Sequence, residues 1–322
     1  MIQTIRKAWG IPELRKKIVF TLLILLIYRI GSAIPVPYVD TNTLGNYLDG
    51  MGTTILGLYD VMSGGAFAMA TVFALGIQPY INSSIIIQLL TVAIPALERM
   101  ARDGGEEGKR KIQSITRYAT VAIALLQALG YYWIMSSNNI LTNTSVWAAL
   151  VIIVSFVAGS SFLMWLGEQC NEFGVGNGIS MILFAGIISR IPSMVSRISS
   201  GITSGTLFWP WVILIVVGIL LLVVLIVFVS DAERRIPVQY AKRQVGRKMY
   251  GGQSSNLPMK VNMSGVLPVI FAQSIASIPA TIGAFLPAPA EGSFWAALLD
   301  AIDTKSVLYM IVYFLMIIGF SY

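Results

Sequence analysis

The sequence predicts an all-α, polytopic helical membrane protein, and three observations support this prediction. Of the 322 residues, 56% are hydrophobic and 11% are charged, whereas a soluble protein carries about 25% charged residues. The mean hydropathy is +0.76. The apolar stretches are continuous rather than alternating, which disfavours a transmembrane β-barrel. Together they exclude an ordinary cytosolic globular protein, a disordered chain and a basic protein that coats nucleic acid.

Eight apolar stretches are candidate membrane spans, because a hydrocarbon core about 30 Å thick takes about 20 helical residues. In chain order they are 18–34, 70–94, 118–135, 146–166, 179–191, 209–230, 265–286 and 307–322. The fifth is short, and the eighth runs to the last residue. Lipid offers backbone groups no partner, so each stretch is expected to be a helix.

Basic residues are concentrated in alternate loops between these stretches. Three segments hold 18 of the 22 Lys and Arg residues: 1–17, 98–117 and 231–262. The opposite side holds Arg190, Arg197 and Lys305, and Arg29 lies in the first stretch. An excess of Lys and Arg marks cytoplasmic loops, so the N-terminus is expected in the cytoplasm. The parity of eight spans agrees with every loop assignment.

The segment between the first two spans, residues 40–69, contains three Asp residues but no Lys or Arg. Glycines interrupt its mildly apolar part, Ile55–Met69, which is too short and too broken to span. Irregular backbone at membrane depth is tolerated only where it lines a cavity. Composition alone leaves two alternatives open, an external loop or a half-helix that folds back into the membrane.

The second span carries an unusual number of polar residues. Pro79 lies inside it, together with Gln78, Asn82, Ser83, Ser84 and Gln88. Polar side chains in a span usually face other helices or water. They are interpreted either as contacts that hold helices together or as a face on a passage or on a seam that opens.

The segment 230–262 is the largest charged feature, with seven basic residues. Apolar and aromatic residues alternate with the basic ones, which predicts a β-hairpin-like excursion into the cytoplasm. One interpretation is ordinary topology plus attraction to anionic lipid, worth roughly 1 kcal/mol for each basic residue. The other is a docking surface for a polyanion such as ribosomal RNA.

Catalytic chemistry is restricted by what the composition lacks. The sequence has no His and one Cys, Cys170. This excludes a Ser-His-Asp triad, a His-ligated metal site, an intrachain disulfide and a Cys cluster for zinc. No Walker-type phosphate loop occurs. We therefore expect no enzymatic activity, no cofactor and no metal, and any energy source must be a partner or a gradient.

Several stretches of the sequence resemble, in family order, the SecY family of central translocon subunits. They are Tyr28–Pro37, Met62–Ala66 with Phe73–Thr91, Met164–Ile187 and Arg234–Ile275. The resemblance covers essentially the whole chain. It implies ten spans in two inverted five-helix halves, of which about eight are present here. The expected domains are an N-terminal half, 1–191, and a C-terminally incomplete half, 192–322.

The resemblance also implies roles for four sets of residues. An aliphatic ring that closes the pore corresponds to Ile77, Ile81, Leu183 and Ile270. A re-entrant plug at 55–69 corresponds to Ile55, Gly57, Gly64, Gly65 and Met69. A lateral gate, with simple packing as its alternative, corresponds to Gln88, Thr91, Gln127 and Asn262. A cytoplasmic docking site corresponds to Arg234, Arg235, Lys242, Arg243, Arg247 and Lys248.

The function implied is a protein-conducting channel in the bacterial plasma membrane, which passes secretory polypeptides and releases membrane segments sideways into lipid. The partners implied are SecE-like and SecG-like small membrane subunits, the SecA ATPase, the ribosome, signal peptides, nascent chains and membrane lipid. A secondary transporter with inverted repeats is the alternative, weakened because no charged residue lies deep in a span. An insertase without a through-pore or plug is a third hypothesis.

Overall fold

The computed structural model describes residues 9–49, 55–205, 208–238, 243–245, 248–250, 255–260, 268–269, 272, 275–276 and 306–321. Four predicted site residues lie outside this part of the chain, namely Lys242, Arg247, Asn262 and Ile270. Most of the predicted seventh span lies outside it as well.

Helices make up most of the described chain. They are α1 Pro12–Gly31, α2 Thr41–Asp49, α3 Ile55–Met62, α4 Gln78–Ala93, α5 Pro95–Arg102, α6 Gly105–Ser137, α7 Val146–Phe173, α8 Gly178–Ser189, α9 Ile191–Thr203, α10 Trp209–Asp231 and α11 Val307–Ser321. Within the described residues, four helical stretches are long and apolar enough to cross a membrane: α6, α7, α8 with α9, and α10. The bent pair α4 and α5 would make a fifth. The prediction of an all-α membrane protein is confirmed.

The second predicted span is shorter than the apolar pattern indicates. Helix α4 begins only at Gln78, and the chain from 63 to 77 forms turns. Ala70 and Gly76 have φ angles of 42° and 58°, which a right-handed helix does not accommodate. Pro79 therefore lies in the first turn of α4, where its missing N–H removes no helical hydrogen bond. The predicted start of the span at residue 70 was wrong, and Pro79 lies at the start of the helical part of the span rather than in its middle.

A second proline shapes the other end of α4. Ile94 is extended, with ψ of 112°, because a residue before proline is disfavoured in the helical region. Helix α5 then starts at Pro95 and runs at 99° to α4. The result is a short amphipathic helix that leads into α6.

The described residues up to Ser193 form one compact unit, in which α7 is central. Helix α7 packs against α1, α6 and α8, and α6 packs against α4. One apolar cluster includes Ile152 and Phe156 of α7 together with Tyr131 and Met135 of α6. A second cluster lies farther along α7, at Leu163 and other residues facing α1 and α8.

The turns between α3 and α4 are fixed to this helical framework. Val36 N–H donates to the carbonyl of Ala70 (2.9 Å), and Val72 N–H donates to the carbonyl of Ile34 (3.0 Å). The carbonyl of Val72 lies so close to Gly159 of α7 that no Cβ would fit there. The backbone of the turns therefore runs directly over α7.

Residues Met194 to 260 belong to a second compact unit. After α10, strand β1 Glu233–Val238 pairs antiparallel with β4 Ser255–Lys260, and β2 Arg243–Val245 pairs antiparallel with β3 Lys248–Tyr250. The predicted hairpin-like excursion after the sixth span is confirmed.

Candidate functional site

Three residues of the predicted aliphatic ring meet in one apolar cluster. Ile77 immediately precedes α4, Ile81 lies in the first turn of α4, and Leu183 lies on α8. Ile77 is 3% exposed and belongs to the cluster core, whereas Ile81 and Leu183 are half-buried against it. The structure therefore brings these three residues together, with Ile77 the most deeply packed.

The reason for the burial of Ile77 is a glycine on α7. A Cβ at Gly167 would lie 3.3 Å from Cδ1 of Ile77 and 3.4 Å from Cγ1 of Ile179. The missing side chain gives the start of α4 room to lie close to α7 and α8. This contact fixes the positions of Ile77 and Ile81 relative to α7.

The predicted plug segment, residues 55–69 and called the plug segment below, is helical only in its first part. Helix α3 ends at Met62, and the remainder forms turns in which Gly64 and Gly65 have φ angles of 71° and 88°. Gly57 is half-buried and Met69 is 58% exposed. Glycine adopts these left-handed angles without steric cost, so the chain can reverse here within two residues.

Helix α3 and the turn after it pack on α8 through close backbone contact. A Cβ at Gly64 would lie 2.5 Å from Ser189 Oγ, and one at Gly186 would lie 2.6 Å from the carbonyl of Met62. The hydroxyl of Ser189 donates to the carbonyl of Gly64 (3.3 Å). These contacts with α8 are small and neutral, and Phe67 adds a large apolar anchor on α6, since it is 4% exposed and its ring stacks on Tyr131 with centroids 4.2 Å apart.

Asp60 is the buried charge of the plug segment. Its Oδ2 lies 2.7 Å from Nη2 of Arg190 at the end of α8, and its Oδ1 accepts the N–H of Ala68 at 2.8 Å. Asp60 is 7% exposed. Sequence reasoning missed this pair, since Asp60 counted only as a loop acid and Arg190 only as a basic residue. The available signal was a lone acid in an apolar segment.

The predicted gate residues do not all lie together. Ser83 of α4 donates to the carbonyl of Thr116 of α6 (2.8 Å), which sets the pairing of these helices. Gln88 is exposed, and Thr91 donates to its carbonyl (2.6 Å). Gln127 is 11 residues past Thr116, about 16 Å along α6 and away from Gln88, since a helix rises about 1.5 Å per residue.

A charged cluster joins α6 and α7 near the ends that face the basic loops. Nη2 of Arg117 lies 2.8 Å from Oε2 of Glu168, and Nε of Arg117 donates to Oε1 at 3.0 Å. Gln113 also donates to Oε1 (3.3 Å). The Glu168 side chain is 9% exposed. Its carboxylate is therefore held by two residues of the neighbouring helix.

Four of the six predicted docking residues lie on the strands that follow α10, and the other two lie outside the described residues. Arg234 and Arg235 are exposed on β1, where they pair in register with Met259 and Pro258 of β4. Successive residues of a strand point to opposite faces, so the two arginines lie on opposite faces of the pair. Arg243 lies in β2 and Lys248 in β3.

Comparison with known proteins agrees with these features. The family model described as SecY matches residues 71–322. A protein translocase subunit SecY of Streptomyces scabiei is 42% identical over 337 residues, which cover 100% of this chain and 76% of that protein. The Escherichia coli (strain K12) protein translocase subunit SecY is 39% identical, covering 97% of this chain and 71% of that protein.

Solved structures share the fold. One protein-conducting channel matches 98% of this chain and 75% of its own chain, with a TM-score of 0.63 and 18% identity. A channel whose plug domain stabilises the closed state covers 98% and 74%, with a TM-score of 0.64 and 19% identity. From the close relatives in sequence and the family model, we conclude that the chain belongs to the SecY family of protein translocase subunits.

Proposed function

We propose that this chain is the central pore-forming subunit of a protein-conducting channel, which passes secretory polypeptides across the bacterial plasma membrane and releases membrane segments sideways into lipid. The observation that carries the proposal is the convergence of Ile77, Ile81 and Leu183 on one apolar cluster. A glycine-rich segment packs on α8, the helix that carries Leu183. The secondary-transporter alternative is not favoured, because the relatives are translocase subunits.

A narrow apolar collar explains how such a channel stays closed to ions. Water columns are unstable in an apolar constriction, so ions meet a dewetted barrier. Ile81 and Leu183 are half-buried and keep part of their surface free of the cluster. We place Ile270 in the same ring. Aliphatic side chains are flexible enough to widen around a polypeptide and close again behind it.

The plug segment closes the channel on one side of this collar. Its contacts with α8 are largely between backbone atoms, and the Tyr28 hydroxyl adds a hydrogen bond to the carbonyl of Ser63 (3.0 Å). When the segment moves, Phe67 has to leave the first cluster, where it stacks on Tyr131. An entering chain must supply the free energy for this step.

Sideways release needs a seam between helices that opens. We assign this seam to Gln88, Thr91, Gln127 and Asn262, with residues 1–191 and 192–322 as the two halves. Hydrogen bonds between membrane helices contribute about 0.6–2 kcal/mol each. A hydrophobic signal sequence can compete with interactions of that size. Gln127 lies on α6, far along the helix axis from the level of Gln88 on α4. These residues would therefore contact the seam at two different levels along the helix axes.

The cytoplasmic partners would bind the strands after α10. We propose that Arg234, Arg235, Lys242, Arg243, Arg247 and Lys248 dock the ribosome or the SecA ATPase, that the N-terminus is cytoplasmic, and that SecE-like and SecG-like subunits complete the complex. The exposed β1 arginines suit a polyanionic partner, since phosphate contacts supply salt-dependent affinity. The channel itself is passive and carries out no enzymatic reaction, so these partners supply the energy.

Crosslinking to a trapped secretory polypeptide tests the pore. Cys170 is fully buried, so cysteines introduced by Ile81→Cys and Leu183→Cys report separately. Val154→Cys on α7 is the matched control, because Val154 is 55% exposed and belongs to neither apolar cluster. We expect crosslinks at 81 and 183 but not at 154. Crosslinks at 154 alone would contradict the pore, and a secreted chain at 81 would also exclude an insertase without a through-pore.

A further inference from the structure

We propose that Asp60 and Arg190 are the positioning residues that hold the plug segment closed, acting as an electrostatic latch between it and α8. The inference rests on the closing role proposed above for this segment and adds the residues that control it. Their charged atoms approach to 2.7 Å.

Asp60 accepts several of the hydrogen bonds within the plug segment. Its carbonyl accepts the N–H of Gly65 (2.9 Å) and the hydroxyl of Ser63 (3.1 Å), while its carboxylate accepts the N–H of Ala68 (2.8 Å). The end of α3 and the following turns are thus organised around one residue. Holding Asp60 therefore supports this turn, alongside the stacking of Phe67 on Tyr131.

Arg190 belongs to the framework rather than to the moving part. It is the C-cap residue of α8, and its carbonyl accepts the Ser193 hydroxyl at 2.8 Å, within the unit that ends there. A cation is favourable at a helix C-terminus. The guanidinium therefore stays at the end of α8 whether or not Asp60 is present.

An ion pair suits a latch better than an apolar contact does. Inside the protein, separating the charges slightly leaves a carboxylate without its partner, which is strongly unfavourable. Full displacement into water rehydrates both ions and recovers most of this cost, since buried pairs gain little net free energy over solvated ions. The ion pair therefore resists small excursions more strongly than complete displacement, which favours two discrete positions of the segment.

The two partners differ in burial, and this gives the latch an asymmetry that can be measured. The Asp60 side chain is 10% exposed, whereas the Arg190 side chain is 26% exposed. Removing Arg190 leaves the buried carboxylate of Asp60 without an ion-pair partner. Removing the charge of Asp60 leaves an arginine whose guanidinium can move into water. Arg190→Gln should therefore open the channel more than Asp60→Asn, although each removes one charge.

Ion conductance of the purified complex in planar bilayers, without signal peptide or nascent chain, tests the latch. We expect Arg190→Gln to raise the open probability about tenfold or more, because an unpaired buried carboxylate costs more than the roughly 1.4 kcal/mol that a factor of ten requires. Adding Asp60→Asn should remove most of this increase, since a neutral pair leaves no buried charge. Arg190→Lys keeps the charge and should stay close to the unmodified protein.

Arg102→Gln is the matched control, because Arg102 forms an exposed ion pair with Glu98 (3.1 Å) on α5. It should leave the conductance unchanged. A conductance for Arg190→Gln equal to that of the control, or an Asp60→Asn/Arg190→Gln double variant as open as Arg190→Gln alone, would overturn the latch. Arg190→Lys, whose charge is intact, guards against a variant that fails to fold.

Gly64→Val separates failure of the latch from failure of the plug. Its side chain would collide with Ser189 and with the carbonyl of Gly186, and the charges of Asp60 and Arg190 are both kept. If Gly64→Val opens the channel and Arg190→Gln does not, the latch is wrong and the closing role of the plug stands. If neither variant opens it, both the latch and the closing role are overturned.

Discussion

Gly186→Ala is expected to weaken the packing of the plug segment on α8. The same substitution is expected to stabilise α8, the helix that contains residue 186. The added Cβ would lie 2.6 Å from the carbonyl of Met62 and 3.0 Å from the Tyr28 hydroxyl. Neither atom lies at the end of a long flexible chain, so the plug segment must shift. Overpacking of this kind costs about 1–3 kcal/mol, whereas replacing Gly by Ala inside a helix gains up to about 1 kcal/mol.

The helix gain is the same in both positions of the segment, so the penalty on the closed position is the whole overpacking cost of about 1–3 kcal/mol, or roughly a 5- to 150-fold rise in the displaced population. Two assays measure it. Idle ion conductance should rise, and Ala66→Cys should react faster with a membrane-impermeant maleimide, because Ala66 is 1% exposed when the segment is in place. The free energy of unfolding of the helical unit should fall by less than the closed position loses.

Gly218→Ala on α10 is the matched control, since a Cβ there would meet nothing within 4 Å. This variant should stabilise α10 and leave the idle ion conductance and the maleimide labelling of Ala66→Cys unchanged. If Gly186→Ala labels and conducts like Gly218→Ala, the backbone contact between the plug segment and α8 does not hold the segment, and the reasoning from close approach fails.

The remaining predictions concern the core, the charged cluster and the docking strands. Phe156→Ala should lower the free energy of unfolding by about 3–5 kcal/mol, measured by denaturant titration in detergent, because Phe156 is fully buried in the first cluster. Arg117→Gln should cost about 1–3 kcal/mol in the same titration, because the nearly buried carboxylate of Glu168 loses its main donor. Arg234→Glu with Arg235→Glu should weaken ribosome or SecA binding and flatten its salt dependence, measured by co-sedimentation at several salt concentrations.

Controls for these three variants come from exposed positions, two of them on the same helix as the variant and the third on α6. Phe162→Ala removes a ring that is 41% exposed on α7 and should cost less than Phe156→Ala. Arg110→Gln removes an exposed cation of α6 and should leave the free energy of unfolding nearly unchanged. Arg110→Glu is the control in the binding assay, where it should weaken ribosome or SecA binding less than the double variant of Arg234 and Arg235. Equal losses in any variant and its control would contradict the corresponding prediction.

The long helices could be predicted because hydropathy alone decides their state. Helix α10 is apolar over its whole length, and α7 starts at Val146 as the pattern indicates. The turns before α4 could not be predicted in the same way, since residues 70–77 are as apolar as the helix that follows. Only Gly76 and Pro79 mark the boundary, and both also occur within membrane helices.

The candidate site was predictable only through the resemblance, and only in part. It supplied Ile77, Ile81 and Leu183, which the fold brings together. It did not supply the pair of Asp60 and Arg190, because residues 130 positions apart meet only through the packing of α3 on α8. The helix pairing fixed by Ser83 likewise could not be read from the position of polar residues alone.

The path of α7 through both apolar clusters has a consequence for cooperativity. Ile152 and Phe156 belong to one cluster and Leu163 to the other, and Val72 touches both. Neither cluster can unfold without disturbing α7, which also contributes residues to the other cluster. The helical unit up to Ser193 should accordingly melt in a single step, with no state in which one end is native and the other is not.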